Sequence, residues 1–588
     1  MSIKETVRPG EDVVESVGRT TLRLWPGVVI VALMWFARYV LPVFVPEALQ
    51  FGVLGGVLGG TLGILVWWLF FSKTTWAERL SVIALLVVLP FITSFFIDKS
   101  ISTAMMGFMF PFFVIPFMGL ALVLGAAVGR RASSGVRIRT IAVSILVACV
   151  GFTLVRTDGM YFGAHQDFAW RWSATAEEKF LAQAEDAPAN LSTAALALDS
   201  EADWPGFRGP HRDGVVRGVR IETDWGASPP VELWRRPVGP GVSSFAVQGD
   251  FFYTQEQRGD EELVTCYNLT TGEPIWKHSD ETRFWESHAG AGPRATPSLS
   301  KGRVYTFGAT GLVSALNASD GSVIWSRDAT SDVEVKLPPL AAWYGFSNSP
   351  LIVDSLVVIS VSGALVAYDA DSGEPRWTRP QETNTYSSPH LLTIDNVRQI
   401  LLMADGGATS VSPADGALLW EHKWSTYVRI AQPALMANGD LVLSAGEGNG
   451  LRRISISQEG GAWKVEERWT SNRLKPYHSD FVVHNGHAYG FDGNILACVD
   501  LEDGKRKWKG GRYGAGQVVI HAEQNVLMAL SENGELVLVE ATAENFNELA
   551  RFPAIEGKTW NHPALADDIL LVRNAKEMAA FRLSVASY

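Results

Sequence analysis

The chain has 588 residues, 47% of them hydrophobic, which is too long for one ordinary domain and too apolar for a wholly soluble protein. Its formal charge is unevenly spread: residues 1–155 hold 12 Lys and Arg against 7 Asp and Glu, so from a net of −12 the remainder carries −17. An acidic C-terminal part excludes nucleic-acid binding, because neutralising phosphates needs a cationic surface.

Five apolar stretches come first, at residues 24–45, 51–71, 80–97, 104–128 and 138–155. Each approaches the ~20 residues that cross a bilayer, so the sequence predicts a five-helix transmembrane domain over 24–155 behind a cytoplasmic tail at 1–23. The tail (Lys4, Arg8, Arg19, Arg23), the second loop (Lys73, Arg79) and the fourth loop (Arg130, Arg131, Arg137, Arg139) are basic, whereas the first loop has no cation and the third only Lys99. By the positive-inside rule the N-terminus is cytoplasmic and everything after the fifth span lies outside. That places the chain in the bacterial cytoplasmic membrane with the lipid bilayer as one partner. The first apolar segment is long, lacks a small-residue cleavage site and is followed by further spans, so it is expected to stay as an anchor. Leu146-Val147-Ala148-Cys149 matches a lipoprotein cleavage box, but inside the fifth span membrane packing accounts for it.

Glycines 52, 55, 56, 59, 60 and 63 recur at three- and four-residue intervals. They suit close helix contact, within the bundle or between two copies. Arg38 is the basic residue well inside a span. An intramembrane charge suggests a quinone or ion contact, but beside Tyr39 and Pro42 near the outer end of its span it is expected to snorkel to the interface.

Residues 156–202 read as a neck. Phe168, Trp172, Phe180 and Leu181 are spaced for a helix, Ser173-Ala174-Thr175 followed by Glu177 and Glu178 suits a helix start, and 187–199 is an Ala/Pro/Ser linker. Trp170 and Trp172 suit an interfacial belt.

From residue 203 the sequence repeats. TCYNLTTGEPIW, SALNASDGSVIW, VAYDADSGEPRW, TSVSPADGALLW and ACVDLEDGKRKW each run a strand into a polar turn, close it on a glycine and place a Trp four residues later. A second strand pair lies upstream of each, giving units of about 40 to 50 residues and four strands, the signature of a propeller blade. Counting by closing aromatics gives Trp234, Trp276, Trp325, Trp377, Trp420, Trp469, Trp508 and a degenerate Phe552, hence eight blades over 203–588, each Trp expected to dock between neighbouring blades. Two units, closing at Trp469 and Phe552, run four residues late and are read as longer hairpins. The solitary strand around Trp234 and the solitary Met578–Leu583 should pair and close the ring. Cys266 and Cys498 fall on equivalent strands of separate blades and are expected to be free; no Cys/His run has zinc spacing.

These units resemble the pyrroloquinoline-quinone (PQQ) repeat with its tryptophan-docking strand, found in quinoprotein dehydrogenases and in the propeller lipoprotein of outer-membrane assembly. Asp203–Gly214, DWPGFRGPHRDG, resembles the opening segment of the same proteins. The resemblance implies an all-β eight-bladed propeller of four-stranded antiparallel blades, here preceded by an α-helical membrane domain. It does not decide function, since some members are enzymes and others scaffolds.

Connections between blades pass over the axial tunnel, so the positions opening the innermost strands are the candidate site. Aligned on a recurrent Ser-Pro, they run from Ser243-Ser244 through Asn348-Ser349 and Ser479-Asp480 to Asn561-His562, with Ala515-Gly516 assigned to the seventh blade. Arg294, Tyr386, His478 and Trp560 lie one residue further out. Such a funnel suits a small polar ligand, or is plain structural polarity; His288 is read as a surface-loop histidine. The candidate rim is Arg294, Asn348, Arg429, His478, Trp560 and His562.

Two functions remain. The first is a membrane-tethered extracytoplasmic propeller that binds envelope proteins, with no cofactor. The second, resembling membrane-bound glucose dehydrogenase, is a PQQ-dependent dehydrogenase oxidising an alcohol or sugar and passing electrons to quinone. In it Trp560 would be the floor under PQQ, Arg294 or Arg429 would neutralise it, Asp480 would be the catalytic base, and Glu447, Asn348 and Asp480 supply the ligand types calcium needs. Near-minimal blades and the missing adjacent-cysteine pair favour binding over catalysis.

Overall fold

The computed structural model describes residues 22–41, 49–161, 166–183, 201–333, 343–361, 363–381, 384–426, 429–446 and 448–586. Two compact units emerge. One contains the apolar helices up to Thr157 together with Phe168–Trp172, and the other contains Asp158–Asp167 and everything from Ser173.

In the first unit, helices Trp76–Thr93, Met109–Val128 and Ser134–Thr153 are long and apolar enough to cross a membrane; Trp25–Val40 and Gly55–Phe71 are shorter apolar helices. Three spans thus meet the length and composition requirement among the described residues, where the sequence suggested five. Gly56, Gly60 and Gly63 face Ala37, Met34 and Ile30, so this glycine face packs on the first helix. Arg38 is enclosed by neighbouring side chains. It is buried with its guanidinium about 5 Å from the rings of Phe112 and Phe113, which hold a cation on their electron-rich faces. Buried Glu78 accepts from Arg137 Nη2 (2.8 Å) and Ser134 Oγ (3.0 Å), pinning two helices together. Cys149 is buried within its helix.

The neck is part strand. Val155–Met160 and Gln166–Trp170 form a two-stranded ribbon, so Phe168 is on a strand and not a helix. The helix begins later, at Ala176–Gln183, where Thr175 and Glu178 exchange N–H bonds in a capping box (3.0 and 2.7 Å). It docks on the propeller: Glu177 takes bonds from Arg283 (2.7 Å) and the Gly259 N–H (3.0 Å), and Arg258 lies over buried Phe180.

The second unit is a ring of eight blades, each of four antiparallel strands, one of them extended by the short parallel strand Val215–Val216. Blades 1 to 7 span 246–280, 298–328, 351–380, 390–423, 434–471, 481–512 and 517–553. Blade 8 joins three strands from the C-terminal end (564–582) to Val231–Pro237 from the beginning, with Ala580 opposite Trp234. With this closure every inner and middle blade strand among the described residues is paired, which is what a propeller needs to suppress edges.

The repeated Trp explains how blades adhere. Six indoles donate their N–H to a turn carbonyl of the next blade: Trp234 to Leu269 (2.8 Å), Trp276 to Ala318 (2.9 Å), Trp325 to Ala370 (3.0 Å), Trp377 to Pro413 (3.0 Å), Trp469 to Leu501 (3.1 Å) and Trp508 to Thr542 (2.7 Å); all but Trp508, which meets Phe546, lie over a turn glycine. Glycine is required twice over at Gly373: φ is +72°, and a Cβ would fall 2.6 Å from the Trp325 ring. Trp420 departs from the pattern. Blade 5 ends in ten-residue strands, Gly450–Glu459 and Ala462–Ser471, so its turn at Gly460–Gly461 has moved away, and Trp420 donates to Gln399 Oε1 in its own blade (2.6 Å). Blade 7 differs again, with ordinary strands joined by a longer loop between Glu535–Glu540 and Glu548–Pro553. Cys266 and Cys498 are buried free thiols.

Candidate functional site

Asp203–Gly214, the segment before the first blade, does not lie on the outside. Trp204 pairs with Val247 of blade 1 (2.7 and 3.1 Å), and the Pro205 carbonyl accepts from Leu299 of blade 2 (2.8 Å). Gly206 is pressed against blade 2, where a Cβ would come 2.8 Å from the Pro297 oxygen. Arg212 donates to the carbonyls of Ser349 (3.3 Å), Pro350 and Pro389 (2.9 Å) in blades 3 and 4. Arg208 donates to the Phe481 carbonyl of blade 6 (2.6 Å), and Val215-Val216 pairs in parallel with Ile520-His521 of blade 7. A segment that touches innermost strands on opposite sides of the ring must cross the axis. The tunnel is therefore plugged by the chain itself.

Two cavities border the plug, one beside Phe207 and one beside His211 and Asp213. One, polar and about 410 Å³, is lined by His211, Asp213, Arg217, His390 and the first strands of blades 4 to 6. The other, about 370 Å³, is the axial mouth and holds most of the candidate residues.

The base of the mouth is built by a relay between blades. The N–H of Ser244 donates to Thr296 Oγ1 (3.0 Å), that of Thr296 to Ser349 Oγ (2.9 Å), that of Ser349 to Ser388 Oγ (2.9 Å), and that of Gln432 to Asp480 Oδ1 (2.5 Å). With its amide turned to suit its neighbours, Gln432 also accepts from the Ser388 N–H (3.0 Å). The small polar residue opening each blade thus caps the backbone of the previous one, as buried backbone donors require. In blade 7 this position is Gln517, whose Nε2 donates to the Trp560 carbonyl (2.8 Å), and not the Ala515-Gly516 pair that the sequence alignment suggested.

Arg294, Tyr386, His478, Trp560, His562 and Asp480 all line the mouth. Asn348 does not: its amide is closed on the backbone of Ser360 (2.7 and 2.9 Å). Arg429 does not either: it is buried against the Trp424 ring and donates to the carbonyls of Ser444 and Trp424 (2.6 Å each). Both were misplaced because residue type marked them as polar rim positions, while their side chains turn back into their blades. Glu447 lies outside the described residues. His288 is no bystander: it lines the mouth, edge-on to Tyr344 (5.3 Å). Gln517, Glu286, Tyr344, Tyr477 and Phe207 also contribute and were missed. Phe207 and the plug arginines had a signal in the glycine-punctuated WPGFRGPHR run, which has no strand alternation.

The charges of the mouth are matched. Burial works to protonate Asp480, but the Arg208 guanidinium 3.6 Å away and the His562 ring keep its carboxyl below the usual range. Burial lowers the His562 pKa against the opposing pull of Asp480, whose Oδ2 is 3.4 Å from Nε2. Burial also drives His478 down to about 4. Arg294 is held by Glu286 (3.1 Å) and by the carbonyls of Gly290 and Gly292 (2.7 and 2.8 Å). Lys558 lies 4.2 Å from the Trp560 ring centroid and donates to the His288 carbonyl (2.6 Å), and burial brings it to about 8.

PQQ would need unpaired cations for its carboxylates and calcium would need converging oxygen ligands. Arg208 and Arg294 are spent on the protein, Arg429 faces elsewhere, and Asn348 is not brought beside Asp480. Among the described residues no three His, Cys, Asp or Glu side chains converge as metal ligands. The residues present do not fit that pair of groups.

Fold and repeats together define an eight-bladed β-propeller of PQQ-like repeats. The family model described as outer membrane protein assembly factor BamB matches residues 260–510. The chain is similar to that assembly factor from Yersinia pestis, at 24% identity over 331 residues covering 53% of this chain and 70% of that protein. It is also similar to the quinohemoprotein alcohol dehydrogenase ADH-IIG of Pseudomonas putida, at 28% over 149 residues, 24% of this chain and 19% of that one. Among solved structures, BamB from Moraxella catarrhalis aligns with a TM-score of 0.44 and 12% identity, covering 61% of this chain and 99% of that one.

Proposed function

We propose that this chain is a membrane-anchored extracytoplasmic propeller acting as a binding or scaffold module for envelope proteins. Its parts on this reading are a cytoplasmic tail (1–23), five spans (24–155), a neck (156–202) and the propeller (203–588). The observation that carries the reading is the plug: Asp203–Gly214 occupies the axis, and the charged side chains at the mouth already have protein partners. A dehydrogenase must instead keep cations and a base free for cofactor and substrate. The similarity to outer membrane assembly factors supports partners drawn from the envelope.

The deciding measurement is calorimetric titration of the full-length protein in nanodiscs with PQQ and calcium, followed by dye reduction over alcohols and aldoses. No binding and no reduction are expected. Submicromolar binding with dye reduction that disappears in Asp480→Asn would make the protein a membrane dehydrogenase. Topology is tested by alkaline phosphatase fused after Asp199, expected active, and after Arg131, expected inactive; the reverse pattern refutes the orientation.

A further inference from the structure

The axial mouth has a chemistry that the scaffold reading leaves unused. Its polar atoms are not all engaged: Gln517 Oε1 and His562 Nδ1 have no hydrogen-bond partner, although the two residues are only 1% and 7% exposed. Leaving buried polar atoms unpaired is costly unless something else reaches them. Around them runs an aromatic belt. Tyr344 and Tyr386 meet edge to face with centroids 5.7 Å apart, and Tyr477, His478 and Trp560 form a second run at 5.7 and 4.5 Å.

Charge and size narrow the occupant. An anion would need an unengaged cation, but Arg294 answers Glu286, Arg208 answers Asp480, and Lys558 is taken by the His288 carbonyl and the Trp560 ring. An organic cation would need an unpaired carboxylate, and the same pairings remove it. A purely apolar molecule would bury Gln517 and His562 without partners. Hydroxyl groups, which donate and accept at once, satisfy an amide oxygen and a neutral imidazole together, and the C–H faces of a sugar ring suit aromatic walls. A volume of about 370 Å³ lies at the small end of ligand cavities, ~300–1,000 Å³.

We infer that the axial mouth binds a neutral polyhydroxylated ligand of one or two sugar rings, stacked on the aromatic belt and hydrogen-bonded to Gln517 and His562 at its base. The inference rests on the binding-module reading and deepens it at the same cavity.

The test uses the full-length chain in nanodiscs, free of glycoside detergent, with maltose, cellobiose and N,N′-diacetylchitobiose as probes and glucose 6-phosphate and choline as charged controls. Saturation-transfer NMR and calorimetry should show at least one neutral disaccharide bound through its ring C–H groups, and neither control. Ala289→Trp, which fills the cavity from its wall, should weaken binding at least tenfold with an unchanged melting temperature, and Gln517→Leu should weaken it as much with a lower melting temperature from its lost bond to the Trp560 carbonyl. Should either variant fail to fold, Trp560→Phe, which keeps the stacking face, should keep the affinity within threefold. The inference is overturned if no neutral probe binds, if a control binds as tightly, or if filling or altering the cavity leaves affinity unchanged. Binding accompanied by PQQ-dependent dye reduction would instead sink the scaffold reading and leave sugar recognition standing.

Discussion

Blade adhesion gives the sharpest quantitative test, because Trp325 and Gly373 meet in a geometry that separates three energies. Trp325 is buried near Tyr305 and Tyr368, with its N–H on the Ala370 carbonyl. Removing the ring in Trp325→Ala should cost about 3–5 kcal/mol as a large-to-small core change. No extra penalty for an orphaned acceptor is due, because Arg303 (2.9 Å) and the Tyr305 hydroxyl (3.3 Å) also donate to that oxygen. Gly373→Ala should cost about 1–2 kcal/mol for a left-handed backbone and about 1–3 kcal/mol for driving a methyl into the indole. Gly461→Ala is the control: φ there is +86° but nothing lies within 4 Å of the new Cβ, so only the backbone cost of about 1–2 kcal/mol applies. In Trp325→Ala/Gly373→Ala the clash is gone, and the double variant should be more stable than the sum of singles by about 1–3 kcal/mol. Urea unfolding of the full-length protein, followed by circular dichroism, reads all four. If Gly373→Ala is no worse than Gly461→Ala, or the pair is additive, the tryptophan is not seated as described.

Ending the chain after Lys576 removes Glu577–Arg582, whose Met578 to Phe581 are buried between two strands, and should abolish a single cooperative transition; an unchanged midpoint would place ring closure elsewhere. Arg208→Met should cost about 3–5 kcal/mol by leaving Asp480 buried without its cation, and Asp480→Asn in that background should recover most of it; a neutral Arg208→Met would mean that the pair does not matter. Acid should destabilise the propeller from near pH 6.5 downward. Burial and the neighbouring Arg212 and Arg208 lower His390 to about 3, with Asp213 and Asp480 opposing, and burial lowers His521 to about 4. Depressed folded values mean that the unfolded chain binds protons first, so the stability is full above ~6.5 and is lost as pH falls towards the folded values. At pH 5 the loss is roughly 2 kcal/mol per histidine, and His390→Asn should flatten the melting-temperature profile between pH 7 and 5; an unaltered slope would refute the assignment.

The fold was legible because its determinants are local. The turn, its glycine and the Trp four residues later sit within twelve residues, and closure follows from one strand left over at each end. The candidate site was legible only where backbone register alone places a residue at the mouth, as for Arg294, His478 and Trp560. It failed where the side chain's direction decides: Asn348 and Arg429 sit at comparable positions but bond to Ser360, Ser444 and Trp424. In blade 7 the run Gly514-Ala515-Gly516 gave no Ser-Pro to align on, and the register slipped by one. The plug was invisible to any periodicity argument, since Arg208 bonds across 273 residues of sequence and Gly214 bonds further still, to Ile520.

Those long-range bonds also dictate an order of assembly. Val231–Pro237 finds its partner only in Glu577–Arg582, Val215-Val216 only in blade 7, and Arg208 reaches blade 6. These three contacts join the first residues of the propeller to its last three blades, and none of them exists until the C-terminal third has folded. Loop closure over such distances is entropically slow. Trp204, Pro205 and Arg212 bond to blades 1 to 4, so part of the plug has its partners before the ring shuts, while its bonds to blades 6 and 7 are added at closure. Seating brings Arg208 to Asp480, so a carboxylate at the mouth gains its cation only in the closed ring.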